Sequence, residues 1–454
     1  MKKVMKYLAC ASLLFLTKPV RSQSGIDPAL ATALQNSLNS IRTNLQVKGI
    51  SAAAYIPGQG IWKGVTGVTY GSMPIDTNML FSIGSVTKTF VATEIFKLIE
   101  NGQLSLNDSV HSLLPPIQNV DPNITVRQLL GHKSGLADYL NVNWENGMFA
   151  DLYRIWYQPA VLDSFLPAPL AAPGGAWNYI NTNYALLGMI VEAKTGDSLH
   201  TVLRNDFLSP LGLNNTHMEV FELYPNPIAH NWAGPIANPA AATDESSTPH
   251  EALWSSVSAA GGYFSDPTDL VKWGYNLYSG NVLSQSSLAE MLTFTNVGGG
   301  YFNGYGLGSM RFPGNGRTYW GHAGNYFGYA ACMLYYPQDS ICVALLINQD
   351  CYAAVGAKTF IHAAITNAAV GLKETEMKNK LTVFPNPSDA GFTVFTEEGE
   401  YTLELTDALG KVVHADKFSG TVYKLNSELL REGVYQLKLY SDKGSVSEKI
   451  VVMH

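Results

Sequence analysis

The chain has 454 residues, a formal net charge of -7 and 14% charged side chains, which makes it too long for one typical domain and gives it no basic surface of the kind a phosphate backbone demands. Nucleic acid is therefore not an expected partner, and a small molecule or a peptide is.

The first 22 residues, MKKVMKYLACASLLFLTKPVRS, place Lys2, Lys3 and Lys6 ahead of an apolar run from Tyr7 to Leu16 and close on a small residue. That is the pattern of an export signal, with cleavage expected after Ser22. Cys10 lies too early in the apolar run for lipid attachment, and no later stretch approaches the roughly 18 to 20 apolar residues of a membrane span. The mature chain is expected to be soluble and exported.

Residues 27–46 repeat apolar side chains at Leu30, Leu34, Leu38 and Ile41, an amphipathic first helix. Short apolar stretches then flank Pro57-Gly58-Gln59-Gly60, as in a hairpin. The segment FSIGSVTKTFVATEIFKLIE (81–100) follows, with Val91, Ile95, Leu98 and Ile99 on one helical face and Ser85 three residues before Lys88. That spacing puts serine and lysine side by side at a helix start, where free backbone N–H groups favour developing negative charge. A lysine can serve as a base there only if its pKa falls well below roughly 10.4. By itself the pair also describes the capped start of an ordinary buried helix. The GxxxxGK spacing of a phosphate loop is absent.

From 102 to 290 the pattern is mainly helical, with long loops rich in proline and glycine. WNYINTNYALLGMIVEAKTG (177–196) sets Tyr179 and Asn181 in a loop just ahead of a helix. A phenol there can relay a proton and an amide can grip a carbonyl, although a packed tyrosine and a capping asparagine fit the same letters. FSDPTDLVKW (264–273) reads as a proline-initiated helix capped by Asp266. Strands are expected at about 318–324, 327–336 and 340–348, then a helix from about 352 to 370. His322 sits on a strand edge opened by Gly321, Gly324 and Gly328, and glycine inside a strand marks a bulge or close approach of backbone to ligand. Pairing 329–336 with 340–347 would turn Cys332 and Cys342 to opposite sheet faces, so buried free thiols are expected rather than a disulfide framework.

Composition changes near residue 373: the last 82 residues hold 23 of the chain's 65 charged side chains. The expected organisation is an export signal at 1–22, a main domain at 23–372, a linker at 373–380 and a small all-β sandwich at 381–454. The main domain reads as α/β, an antiparallel sheet flanked by helices with an inserted helical subdomain. Glu94, Asp108 and Asp138 read as residues of solvated helix faces or caps. No HExxH pair, calcium loop or Cys/His cluster suggests a metal, no cofactor is expected, and GxSxG is absent.

Taken together, Ser-Val-Thr-Lys (85–88), Tyr-Ile-Asn (179–181) and His-Ala-Gly (322–324) resemble, in order, the motifs of the serine β-lactamase and penicillin-binding-protein family. The similarity is to its branch of class C β-lactamases, D-alanyl-D-alanine carboxypeptidases, D-aminopeptidases and esterases, and covers roughly residues 26–370. ITVRQLLGHKSGL (124–136), NTNYALLGMIVE (181–192), SAAGGYFSDPTDL (258–270) and YGLG (305–308) add to it. The resemblance implies a β-lactamase/transpeptidase-like fold and an acyl-enzyme on Ser85, with Lys88 and Tyr179 sharing the proton transfers and the choice of base open. It implies that Asn181 holds the substrate amide and that the N–H groups of Ser85 and Asn325 form the oxyanion hole. His322, Ala323 and Gly324 would border the substrate, with His322 partly charged near neutrality.

True class C β-lactamases carry Lys-Thr-Gly where this chain has His-Ala-Gly. Ala323 has no hydroxyl for a substrate carboxylate, so efficient β-lactam hydrolysis and carboxypeptidase activity are both disfavoured. D-amino-acid peptidase and esterase activities remain, on a substrate that could derive from peptidoglycan, and the competing expectations are a catalytically silent binder of peptidoglycan peptides or a weak class C-like β-lactamase. VFPNPS (383–388), DALGKVV (407–413) and the closing GVYQLKLYSDKG and KIVV resemble the C-terminal sorting domain of type IX secretion cargo. That resemblance implies export through the periplasm, outer-membrane secretion machinery as a partner, and a secreted or cell-surface location.

Overall fold

The computed structural model describes residues 25–453 apart from 225, 315, 379–380, 408–411, 428–429 and 442–443, with only the backbone of 368–378 and 444–445. The export signal expected at 1–22 lies outside the described residues. Two compact units emerge: Leu34–His362 with Gly25 and Ile26, and Ala363–His454 with Asp27–Ala33.

Helix α1 (Pro28–Leu45), of which the part from Leu34 belongs to the first unit, leads into that unit's strands β1 (Gly49–Ile56), β2 (Gly60–Tyr70) and β3 (Met73–Pro74). Five short or medium strands and one more return late in the chain: β4 (Thr295–Asn296), β5 (Gly304–Tyr305), β6 (Met310–Gly314), β7 (Arg317–Tyr326), β8 (Tyr329–Tyr336) and β9 (Ile341–Ile347). They form one nine-stranded sheet in the order β3-β2-β1-β9-β8-β7-β6-β5-β4, antiparallel at every pairing described. Every residue of β8 and β9 is buried, as continuous apolar runs require of strands covered on both faces. Their register pairs Tyr335 with Cys342 and Cys332 with Leu345, so the two thiols face opposite sides. Cys332, Cys342 and Cys351 are free and buried.

The middle of the unit is helical and carries α2 (Thr87–Glu100), α3 (Thr182–Thr195), α4 (Glu251–Gly261) and α5 (Pro267–Tyr278). Pro267 opens α5, and the Asp266 carboxylate accepts the Asp269 N–H at 2.8 Å, the cap its sequence predicts. For α2 the expectation of one apolar face is exceeded: eleven of its fourteen residues are buried, Lys88 and Glu94 among them. It packs against α3 and α4, and Phe90 stacks on Trp273 of α5 at 4.1 Å between ring centroids. Surrounded on all sides, α2 serves as the central post of the unit.

Helix α6 (Ala353–Lys378) runs through 373–378, so most of the segment read as a linker is helical. Beyond it, β10 (Thr382–Phe384), β11 (Gly391–Phe395) and β14 (Val422–Asn426) form one small sheet in the order β10-β11-β14. A second takes the order β13-β12-β15-β16, from β12 (Glu400–Thr406), β13 (Val412–Ser419), β15 (Gly433–Ser441) and β16 (Gly444–Val452). Phe392 and Val394 of one sheet share a core with Leu403, Leu405, Leu437 and Ile450 of the other, which makes this region an all-β sandwich.

Candidate active site

Ser85 lies in a 3₁₀ turn, Gly84–Val86, immediately ahead of α2. Gly84 adopts φ +47° and faces β7 so closely that a Cβ there would lie 3.1 Å from Asn325 N. A Cβ on Gly324 would lie 2.1 Å from the Ile83 carbonyl oxygen and 2.7 Å from Ser85 N. Two glycines therefore let the serine turn and the strand touch backbone to backbone, which brings the N–H groups of Ser85 and Asn325 into one neighbourhood. Strand β6 pairs with β7 only as far as Gly321, so on that side His322–Tyr326 meet the serine turn instead of another strand.

Lys88, in the first turn of α2, is fully buried. Its Nζ lies 2.8 Å from Ser85 Oγ, 2.8 Å from Asn181 Oδ1 and 2.7 Å from the Ala260 carbonyl oxygen. Ala260 follows a break in α4 at Ser258, where φ is 26° and ψ is -107°. Burial lowers the Lys88 pKa to about 7, against an opposing pull from Asp138. A neutral amine has two N–H groups and one lone pair. The two oxygens that can only accept, those of Asn181 and Ala260, take the N–H groups, and the lone pair is left for the Ser85 hydroxyl.

Asn181 presents its oxygen to Lys88 because Asp138 holds its other end. Asp138 Oδ2 accepts the Asn181 side-chain N–H at 2.9 Å and its backbone N–H at 3.1 Å. Asn181 makes no side-chain cap on α3, so the capping alternative does not describe it. Tyr179 has a buried hydroxyl facing Ser85, and its pKa stands well above the ordinary value because of burial, although hydrogen bonding with the Ser85 hydroxyl pulls it the other way. Its ring stacks on His132 at 4.3 Å. His132 is held through Nδ1, which accepts from Ile180 N at 3.2 Å and from the Asn183 amide at 3.1 Å.

Two expectations need correction. His322 is completely buried, with Nδ1 at 2.6 Å from the Ala323 carbonyl and Nε2 at 3.2 Å from the Tyr305 hydroxyl. Those partners assign the proton to Nδ1 and make Nε2 an acceptor. Burial, with Lys88 adding to it, lowers the His322 pKa to about 3, so the ring is neutral near pH 7 and stands behind the cleft wall instead of bordering substrate as a partial charge. Glu94 and Asp138 are not on solvated faces either. Glu94 is 1% exposed with Oε2 unpartnered, and Asp138 is enclosed beside Asn181, where burial raises its pKa. Asp108 accepts the Ser105 N–H in an exposed turn, as read.

Ser85, Tyr179, Asn181, Ala323, Gly324 and Asn325 all line one cleft of about 600 Å³, with Lys88 beneath Ser85. Its walls are aromatic: Trp177, Phe302, Tyr301 and Tyr352 follow one another at 5.1 to 6.3 Å between ring centroids. Sequence reasoning missed these walls, Asp138, His132 and Tyr305. His132 and Tyr305 lie inside the stretches GHKSGL and YGLG, which were legible as motif but not as role. Among the described residues no group of His, Cys, Asp and Glu could hold a metal ion.

A family model described as Beta-lactamase matches residues 34–367, and one described as Secretion system C-terminal sorting domain matches 382–453. The D-amino acid amidase of Ochrobactrum anthropi SV3, complexed with L-phenylalanine amide, aligns at a TM-score of 0.66 and 26% identity over 75% of this chain and 99% of that one. A D-stereospecific amidohydrolase from Streptomyces sp. aligns at 0.63 and 28%, over 74% and 99%. A penicillin-binding protein of Bacillus subtilis (strain 168) is 29% identical over 292 residues, which are 61% of this chain and 62% of that relative. The chain spans 62%, 48% and 54% of the lengths of the first curated relatives it matches.

Proposed function

The chain belongs to the beta-lactamase family of serine hydrolases, and from that premise we propose that it cleaves amide or ester bonds through an acyl-enzyme on Ser85. The observation that carries this is the buried Lys88, whose pKa near 7 leaves a large share of it neutral at pH 7, 2.8 Å from a serine hydroxyl that its lone pair can accept from. Ser85 Oγ forms a bond to the substrate carbonyl carbon while its proton passes to Lys88 Nζ. Negative charge gathers on the carbonyl oxygen, toward the N–H groups of Ser85 and Asn325. The bond to the leaving nitrogen or oxygen then breaks, and that atom takes the proton from Lys88, either directly or with the Tyr179 hydroxyl donating its own and regaining one from Lys88. Tyr179, held protonated by its burial, is suited to donating and poorly suited to being the first base. Water completes the cycle by releasing the acid from Ser85.

The similarity to amidases that act on D-amino acid derivatives supports a D-amino-acid amidase or peptidase, and the absence of a hydroxyl at Ala323 supports an esterase. The test is turnover of a small nitrophenyl ester by the purified chain and its Ser85→Ala variant. The variant should fold normally and lose at least about 10³-fold in rate. Unchanged turnover in Ser85→Ala excludes this mechanism. A wild-type chain that binds peptidoglycan peptides without turning over any ester or amide would be a silent binder.

We also propose that residues 382–453 direct the chain to outer-membrane secretion machinery, with the N-terminal segment giving passage into the periplasm first, so that the protein is secreted or held at the cell surface. Their match to a secretion sorting domain supports this.

A further inference from the structure

The described walls of the cleft around Ser85 carry no carboxylate, ammonium, guanidinium or imidazole, and Lys88 lies beneath Ser85, not in the wall. The lining comprises Gly84, Ser85, Leu140, Asn181, Ala323–Tyr326, the four aromatic side chains named above, Tyr179 and a set of small or aliphatic residues, and none of the described lining residues is Asp, Glu, Lys, Arg or His. The third motif supplies none either, because His322 is neutral, turned behind Ala323 and occupied by Tyr305 and the Ala323 carbonyl. Among the lining residues, Trp177 Nε1 is a buried polar atom with no partner, and the buried Tyr179 hydroxyl faces Ser85. Both are neutral groups that can donate a hydrogen bond.

We infer that the cleft selects acyl donors uncharged on both sides of the bond being cleaved and bearing an aromatic or bulky aliphatic group: neutral esters and N-acylated amides, in preference to free amino-acid amides, peptides ending in a carboxylate, and β-lactams. The inference rests on the acyl-enzyme at Ser85 and goes further by naming what the site accepts. An α-ammonium or an α-carboxylate sits within a few bonds of the reacting carbonyl, so holding that carbonyl against Ser85 draws the charge against the apolar walls and strips part of its hydration. Bringing such a charge against walls that hold no counter-ion loses hydration that the walls do not restore. A carboxylate brings a second penalty, since a negative charge near Lys88 favours the protonated amine and removes the lone pair that Ser85 needs. An uncharged substrate leaves Lys88 as the empty cleft sets it, and aromatic walls reward it with burial and ring contacts.

The test gives two matched pairs to the purified full-length chain and to Ser85→Ala. D-phenylalanine amide is compared with N-acetyl-D-phenylalanine amide by released ammonia. The thioester of phenylacetylglycine with thioglycolate is compared with its methyl ester by released thiol. The uncharged member of each pair should have the higher kcat/KM, by roughly tenfold or more, and both activities should vanish in Ser85→Ala. A charged member that is the better substrate, with its turnover still lost in Ser85→Ala, overturns the inference and leaves the nucleophile standing. Turnover that survives Ser85→Ala overturns the nucleophile itself. Tyr352, 56% exposed on the cleft wall, allows a gain-of-function check: Tyr352→Arg should narrow or reverse the thioester pair and leave the direction of the amide pair as it was. An arginine that leaves the thioester preference untouched shows that charge on the wall does not set selection.

Discussion

Lys88 fixes the pH behaviour of the site. With its pKa lowered to about 7 by burial, the amine is a base above that value and an ammonium below it. The value of kcat/KM should therefore rise through about pH 7 and fall about tenfold per unit on the acid side. Asp138 is the one group whose charge pulls this pKa back up. Asp138→Asn retains an oxygen to accept from Asn181 but removes the charge, so its acid limb should lie below that of the wild type. A limb that stays put or moves upward in a pH–rate measurement would show that Asp138 does not act on Lys88 electrostatically. At this scale Ser85, Lys88, Tyr179 and Asn181 were legible because each stands near the start of a helix whose pattern the sequence displays. The state of His322 was not. Its charge depends on complete burial and on Tyr305, seventeen residues away and on a different strand, and neither is written in His-Ala-Gly.

Helix α2 carries a second buried ionisable group that the proposed chemistry does not use. Glu94 sits two turns beyond Ser85, and burial, with the nearby Asp206 adding to it, raises its pKa to about 8 from 4.5, while Lys97, paired with Asp206 at 3.1 Å, opposes. A folded-state value above the unfolded one means that the stabilising contribution is complete below about pH 4.5 and is lost as pH rises toward 8. Glu94→Gln keeps shape and polarity and removes the titration. Its melting temperature should match the wild type near pH 4.5 and exceed it by about 2–4 °C at pH 9. A difference that does not vary with pH would mean Glu94 does not carry a buried charge. The sequence displayed α2 as amphipathic because its most regular apolar positions, Val91, Ile95 and Leu98, fall on one face. The polar remainder looks like a solvent face until α3, α4 and α5 are known to enclose it, and such enclosure is a property of packing that local periodicity does not encode. Strands β7, β8 and β9, by contrast, lie within a few residues of their expected bounds, since apolar runs between turn residues leave few alternatives.

At the scale of the molecule, charge density separates two parts that also have separate cores. The apolar cluster around α2 and the central sheet draws only on residues from Ala53 to Leu346, and that of the sandwich only on Phe392 to Val452. The sandwich further exposes large apolar side chains along its strands, Phe384 at 69% and Val412, Val422 and Val434 at 46 to 48%. If the unit is an address read by secretion machinery, removing it must change location and leave chemistry alone. A chain ending at residue 380 keeps Ser85, Lys88, Tyr179, Asn181 and every lining residue of the cleft, so its purified form should hydrolyse the nitrophenyl ester at the wild-type rate while the protein accumulates in the periplasm instead of on the cell surface or in the medium. Truncated protein found in the medium would remove the sorting role from residues 382–453, whereas a retained but inactive truncation would show that the catalytic unit depends on its C-terminal neighbour for its fold.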